Sequence, residues 1–183
     1  MDDLLLVEAS QAGHKAAFSV LIDRYYRNVY RLAYQYTGRH HEADDICQEA
    51  FLRAFGAIGS LREGGSFKGW IFTIASNLLR RRIKDMKVER RLAARGASTD
   101  ATESAADGDA GPSAKMAAEE RTVIVRRQVQ EMPEQIRLAA ILILMEGLSQ
   151  KEAAAVLGCS EATVCRRLEA AREWLKPRLR NLI

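Results

Sequence analysis

Between Phe67 and Arg95 three aromatic residues, Phe67, Trp70 and Phe72, give way to a run of cations. That run holds Arg80, Arg81, Arg82, Lys84, Lys87, Arg90, Arg91 and Arg95, opposed only by Asp85 and Glu89. Rings beside cations are what is needed to hold unstacked bases next to a phosphate backbone, where stacking is worth about 1–3 kcal/mol per base. A surface helix that served solubility alone would interleave its charges. Just before this run Gly64 and Gly65 supply a loop able to deform around a base, and Asn77 carries both a donor and an acceptor for a base edge. Phe67, placed in that loop, is the expected stacking ring. Trp70 and Phe72 are expected in the core.

A second arrangement lies between Ser149 and Arg172. Ser149 and Glu152 form an S-x-x-E capping box that opens a short helix. The tight turn Gly158-Cys159-Ser160 follows, and Ser160 caps a second helix. A helix-turn-helix of this shape presents the start of its second helix to a major groove, and Arg166, Arg167 and Arg172 offer cations to phosphates or guanine edges. An ordinary helical hairpin with a solvated basic face is the competing reading.

Asp44, Asp45, Gln48 and Glu49 form an acidic stretch ahead of the glycine loop. Paired carboxylates suit acid–base or metal chemistry, yet neither a nucleophile–base arrangement nor a phosphate loop accompanies them. Zinc held by His41, Cys47 and a carboxylate is a further reading, set against the different directions in which neighbouring helical residues point. The reading therefore expects no enzyme activity, no cofactor and no metal site. Cys47, Cys159 and Cys165 lack disulfide or CxxC spacing and are read as packing residues of a reduced chain.

The elements that must position these residues are helical. Phe18, Leu21, Ile22, Tyr25, Val29, Leu32, Ala33 and Tyr36 follow the three-four spacing of one buried stripe, and Gly38 offers a stop. The next helix is expected from near Glu42, burying Ile46, Phe51, Phe55 and Ile58, and a third carries Trp70, Ile71, Ile74, Ala75 and Leu78 on one face. From Gly96 to Ala118 there is no aromatic residue and no Val, Ile or Leu. Such a stretch buries too little to offset ordering entropy and is expected to be a flexible linker that fixes reach but not orientation. After it, Pro133 opens a helix with Ile136, Leu138, Ala139, Leu142 and Ile143, and Gly147 ends it. The expected fold is all-α, with two small helical domains, 1–95 and 119–183, joined by the linker 96–118.

The 183 residues carry a formal charge of +4 with 48% hydrophobic side chains. The local concentration of positive charge, more than the total, points to an acidic polymer as partner, with an anionic membrane as the competing reading. No run reaches the roughly 18 apolar residues of a membrane span. The acidic Met1-Asp2-Asp3 is unlike the basic start of a secretory signal, so a cytoplasmic location without membrane insertion is expected.

With these segments in place the chain resembles a sigma-70 family factor of the extracytoplasmic-function (ECF) group, built from a region-two domain, a linker and a region-four domain. The run Asp44-Asp45-Ile46-Cys47-Gln48-Glu49-Ala50-Phe51-Leu52-Arg53-Ala54-Phe55 looks like the family's polymerase-binding helix. Ser66-Phe67-Lys68-Gly69-Trp70-Ile71 and Ile74-Ala75-Ser76-Asn77-Leu78 are similar to its melting and minus-ten segment, and Leu148 through Arg172 to its minus-thirty-five helix-turn-helix. The resemblance implies that Asp45, Gln48, Glu49 and Arg53 face the beta-prime clamp helices of core RNA polymerase, the beta flap being a further contact. It implies that Leu61, Arg62, Ser66, Phe67, Lys68, Asn77, Arg80, Arg81 and Lys84 serve the minus-ten strand, receiving a flipped base. It implies that Ser160, Glu161, Thr163, Cys165, Arg166, Arg167, Glu169 and Arg172 read the upstream duplex. Leu61 and Arg81 stand where the family often has an aromatic and an acidic residue. An anti-sigma factor is the implied regulator. A stand-alone helix-turn-helix regulator with an N-terminal sensing or dimerisation domain is the alternative, but it leaves the acidic helix beside the aromatic-basic one without a role.

Overall fold

A computed structural model describes residues 2–62, 65–96 and 114–180. In the N-terminal unit α1 (Asp3–Gln11), α2 (Lys15–Thr37) and α3 (His40–Ala57) lead through a tight turn at Ile58–Ser60 to α4 (Phe67–Gly96). In the C-terminal unit α5 (Ala114–Glu131) precedes α6 (Glu134–Ala140), which widens into a π turn at Ile141–Met145, and α7 (Gln150–Leu157) precedes α8 (Glu161–Arg178). No strand occurs among the described residues, and the all-α expectation holds.

The stripe on α2 is the spine of the first unit. Leu21, Val29, Leu32 and Ala33 are fully buried, each leucine contributing on the order of 1.5–3 kcal/mol through lost water contact. Gly38 ends the helix at φ 77°, its N–H donating to the Tyr34 carbonyl at 2.8 Å. A Cβ at that position would lie 2.6 Å from the Gln130 side chain on α5, so both the backbone and the close approach call for glycine.

Three expectations change. The sequence reading began its helices at Phe18 and missed α1. There Leu6 and Val7 are buried while Leu4 and Leu5 are largely exposed, so four consecutive apolar residues masked the period. Asp3 ties α1 to α2 by accepting from Arg24 and from the Tyr25 hydroxyl. Second, Phe55 is 45% exposed, its ring resting edge-on against Phe18 at 5.1 Å rather than being enclosed. Third, Ala114–Ala118 belong to α5 rather than to the linker. Residues 97–113 of the expected linker lie outside the described residues, as do Gly64 and the side chains of Lys87, Arg90, Arg91 and Arg95.

The caps in the second unit are as the spacing predicts. The Glu152 N–H donates to Ser149 Oγ at 3.2 Å and the Ser149 N–H donates to Glu152 Oε2 at 2.8 Å, closing the box. Gly158 ends α7 at φ 63°, and Ser160 Oγ accepts from the Thr163 N–H at 3.2 Å. The two units pack on each other: one continuous core takes in Tyr36 and Leu79 from the first and Met132 and Leu142 from the second.

Candidate nucleic-acid interface and docking face

On α3 the residues Asp45, Gln48, Glu49 and Leu52 follow an i, i+3, i+4, i+7 spacing and share one exposed face. Leu52 is 72% exposed, far more than an isolated core leucine would be. Arg53 pairs with Glu49, and His41 Nδ1 lies 3.2 Å from Asp45 Oδ2. Beside this polar row Phe18, Ile22, Phe51, Leu52 and Phe55 line an apolar groove of about 410 Å³ between α2 and α3. Apolar anchors rimmed by charges are the composition of a protein-docking surface. Leu52 was not among the docking residues expected from the sequence, and Phe55 was expected in the core. Their signal was a leucine and a phenylalanine continuing an otherwise polar helix face.

The zinc reading does not survive the geometry. Cys47 is fully buried, and burial, with the nearby Asp44 charge, pushes its thiol up to about 12. His41 is exposed on the outer side of the same helix, and no group of metal-ligating side chains occurs among the described residues.

The loop ahead of α4 is held from the outside. Gln11 Nε2 donates to the Ile58 carbonyl at 3.0 Å and to the Leu61 carbonyl at 2.9 Å, joining α1 to the start of the loop. Nothing in the local sequence pairs residues that far apart, and Gln11 was missed. Leu61 is buried, and Arg62 and Ser66 are exposed. Phe67, expected as a stacking ring in the loop, is instead the first residue of α4 and 1% exposed. Its ring is enclosed by Tyr25, at 5.4 Å between centroids, and by Trp70 at 5.9 Å, so it is closed to a base in this arrangement. Trp70 is only half-buried and lines a groove of about 420 Å³ with Leu61, Arg62, Gly65 and Ser66.

Along α4 the residues Asn77, Arg81 and Lys84 recur at i, i+4 and i+7 and are all exposed. They make one polar and cationic row, with Arg81 3.9 Å from Asp85. Lys68 is half-buried at the other end of the helix, 6.0 Å from the Phe72 ring. Arg80 departs from the expectation. It turns off the row toward α7 and its Nη2 approaches the Val156 carbonyl at 3.5 Å.

On α8 Glu161, Arg166, Glu169 and Arg172 are exposed, while Thr163, Cys165 and Arg167 are half-buried. Arg166 Nη2 lies 3.4 Å from Thr163 Oγ1, near the helix start. Arg167 leans back on the turn, 3.7 Å from Cys159 Sγ, and Cys165 Sγ lies 3.7 Å from Glu169 Oε1. The exposed set at the start of α8 is what a groove-reading helix presents.

The sigma-70 region 2 model matches residues 21–88 and the sigma-70 region 4 model matches 122–175. The ECF sigma factor SigW of Bacillus subtilis is 31% identical, with 96% of each chain covered. The ECF sigma-E factor of Escherichia coli strain K12 is 32% identical over the whole of this chain and 97% of its own. Among solved structures, the sigma factor RpoE of Bartonella quintana, crystallised with the anti-sigma factor NepR, superposes with a TM-score of 0.71 at 21% identity, over 89% of this chain and 96% of that one, a likeness of fold. Because the N-terminal half matches in its own right, the stand-alone helix-turn-helix alternative is not favoured. With both halves matched and full-length relatives above 30% identity, the chain belongs to the sigma-70 family, in its extracytoplasmic-function group.

Proposed function

We propose that the chain is a promoter-specificity subunit that binds core RNA polymerase and directs initiation at a subset of promoters. The observation that carries this is the separation of three exposed surfaces on a chain of this family. The α3 face, with its apolar groove, suits the beta-prime clamp helices. The row Asn77, Arg81 and Lys84, with Arg62 and Ser66 of the loop, suits a single strand, and the start of α8 suits a duplex groove. Leu61 and Phe67 support the loop from beneath. The family relationship supports a role in initiation rather than catalysis. A place in the cytoplasm fits that role, and no helix among the described residues is long and apolar enough to cross a membrane.

Control by an anti-sigma factor is part of this reading, since the related RpoE is held by one. The exposed apolar groove on α2 and α3 offers such a partner a surface. Division of roles follows the units: 1–95 for polymerase and minus-ten strand, 119–183 for the upstream element.

The test is affinity capture of core polymerase, followed by gel shift on promoter DNA with and without it. The reading expects capture at micromolar concentration or below, and promoter binding that requires polymerase. Strong sequence-specific binding by the free chain, without capture of polymerase, would overturn it.

A further inference from the structure

The outer ridge of α8 mixes charges in a way that backbone binding alone does not require. At about 3.6 residues per turn, Ala162, Arg166, Glu169, Ala170 and Glu173 fall opposite the buried Val164, Leu168 and Ala171, and all five are exposed. Ala162 and Ala170 present only methyl groups. Arg166 and Glu169 are therefore the polar side chains of this ridge nearest the helix start, the end that enters a major groove. One is a cation. The other is an anion, which the phosphates of any duplex repel.

Both side chains are held from the helix start. Thr163 Oγ1 accepts from Arg166 Nη2 at 3.4 Å and lies 2.9 Å from Ser160 Oγ, which in turn accepts from the Thr163 N–H at 3.2 Å. A chain of contacts thus runs from the N-cap to the guanidinium. Cys165 Sγ donates to Glu169 Oε1 at 3.7 Å, again from one turn nearer the start. Thr163 and Cys165 are themselves half-buried.

Base edges distinguish the two heads. Guanine offers the acceptors N7 and O6 to a guanidinium, and cytosine offers its N4 amino group to a carboxylate. The adenine N6 amino group stands beside the acceptor N7, which repels a carboxylate, and thymine has no N–H donor in this groove. Residues three apart are separated by about 4.5 Å along a helix, close to the rise of about 3.4 Å between base pairs.

We propose that Arg166 and Glu169 read two adjacent G·C pairs of the upstream element, Arg166 taking the guanine of one and Glu169 the cytosine of the next. Thr163 and Cys165 are positioning residues for them. This assignment rests on the promoter reading above and adds the identity of the bases. Glu169 lowers affinity for duplex in general and sets the choice among sequences.

The full-length chain, assembled with core polymerase, is presented with a promoter library randomised across the upstream element, and the bound templates are sequenced. The wild type should enrich two adjacent G·C pairs, each preferred by about tenfold. Glu169→Gln should move one of the two positions from cytosine to adenine, because an amide offers both a donor and an acceptor to adenine N7 and N6, and should leave the other position unchanged. Thr163→Val should weaken the guanine preference by about threefold, the loss of one hydrogen bond, without touching the cytosine preference. Melting temperatures equal to that of the wild type show the variants folded. If Thr163→Val melts early, Glu169→Gln, at an exposed site, decides the matter. Enrichment of other bases by the wild type would overturn the assignment while leaving the promoter reading intact. A Glu169→Gln variant that binds every template more tightly with unchanged preferences would do the same, since the carboxylate would then be a solvated charge. No enrichment by the wild type beyond core polymerase alone would overturn the promoter reading and this assignment with it.

Discussion

The Phe67 ring meets Phe18 edge-on, with centroids 6.2 Å apart and planes at 82°. This pair ties the first turn of α4 to α2 and makes Phe67 an anchor beneath the loop. Phe67→Ala should destabilise the chain by about 3–5 kcal/mol, the cost of emptying a large aromatic site in a core. A thermal melt checks this. An unchanged melting temperature combined with loss of single-strand binding would restore the ring as a base platform.

The capping box makes a pH prediction. Hydrogen bonds from the Ser149 side chain, then from its backbone N–H, lower the Glu152 carboxyl below the usual glutamate value of 4.5. A carboxyl lowered on folding adds stability that is complete above its unfolded pKa. That stability is lost as pH falls through the folded value, so the loss should occur below about pH 4.5. Ser149→Ala should remove the larger, side-chain part of this acid dependence while the backbone N–H keeps the rest, and should cost about 1 kcal/mol at neutral pH. Urea melts at pH 7 and pH 3.5 measure both. An acid slope identical in wild type and variant would show that the Ser149 hydroxyl does not shift the carboxyl.

Thiol chemistry should separate the cysteines. Cys47 is buried and its thiol is pushed up to about 12, whereas Cys159 and Cys165 are half-buried in the second unit. Since the thiolate is the reactive form, a thiol reagent at pH 8 should label Cys159 and Cys165 first. Cys47 should react only on unfolding. Rapid labelling of Cys47 in the native chain, read by peptide mapping, would contradict the burial described.

The three surfaces should fail separately. Gln48→Ala with Glu49→Ala should weaken core polymerase binding by about 1–2 kcal/mol, in the range of interface truncations. Asn77→Ala should leave that affinity intact and reduce promoter opening, by about 1–3 kcal/mol if a base-edge contact is lost. Arg166→Ala should reduce recognition of the upstream element by a similar amount. Polymerase affinity and permanganate footprints distinguish them. Equal loss of polymerase affinity in all three would mean that the assignments are wrong.

What the sequence made legible was local. The α2 stripe, the stop at Gly38 and the Ser149–Glu152 box each rest on residues a few positions apart, where helical spacing dictates proximity. The polar residues of the α3 face came instead from the family resemblance, which did not include Leu52. What the sequence hid was long-range or conflicted. Arg31 and Glu146, which pair across the units, are 115 residues apart, and Gln11 and Leu61 are 50 apart, distances at which no periodic signal exists. Phe67 was misplaced because the helix start lies at the phenylalanine itself, after a glycine-rich segment that reads as loop. The relative placement of the units depends on such distant contacts, and neither the linker composition nor the helical spacing encodes it.

The most direct test of the central claim is run-off transcription with purified core polymerase on a promoter library. The account predicts transcripts from a limited set of templates that share an upstream duplex element and a downstream melted element. It also predicts that Asn77→Ala weakens selection of the downstream element while Arg166→Ala weakens selection of the upstream one. Transcription no greater than that of core polymerase alone, from any template, would contradict it.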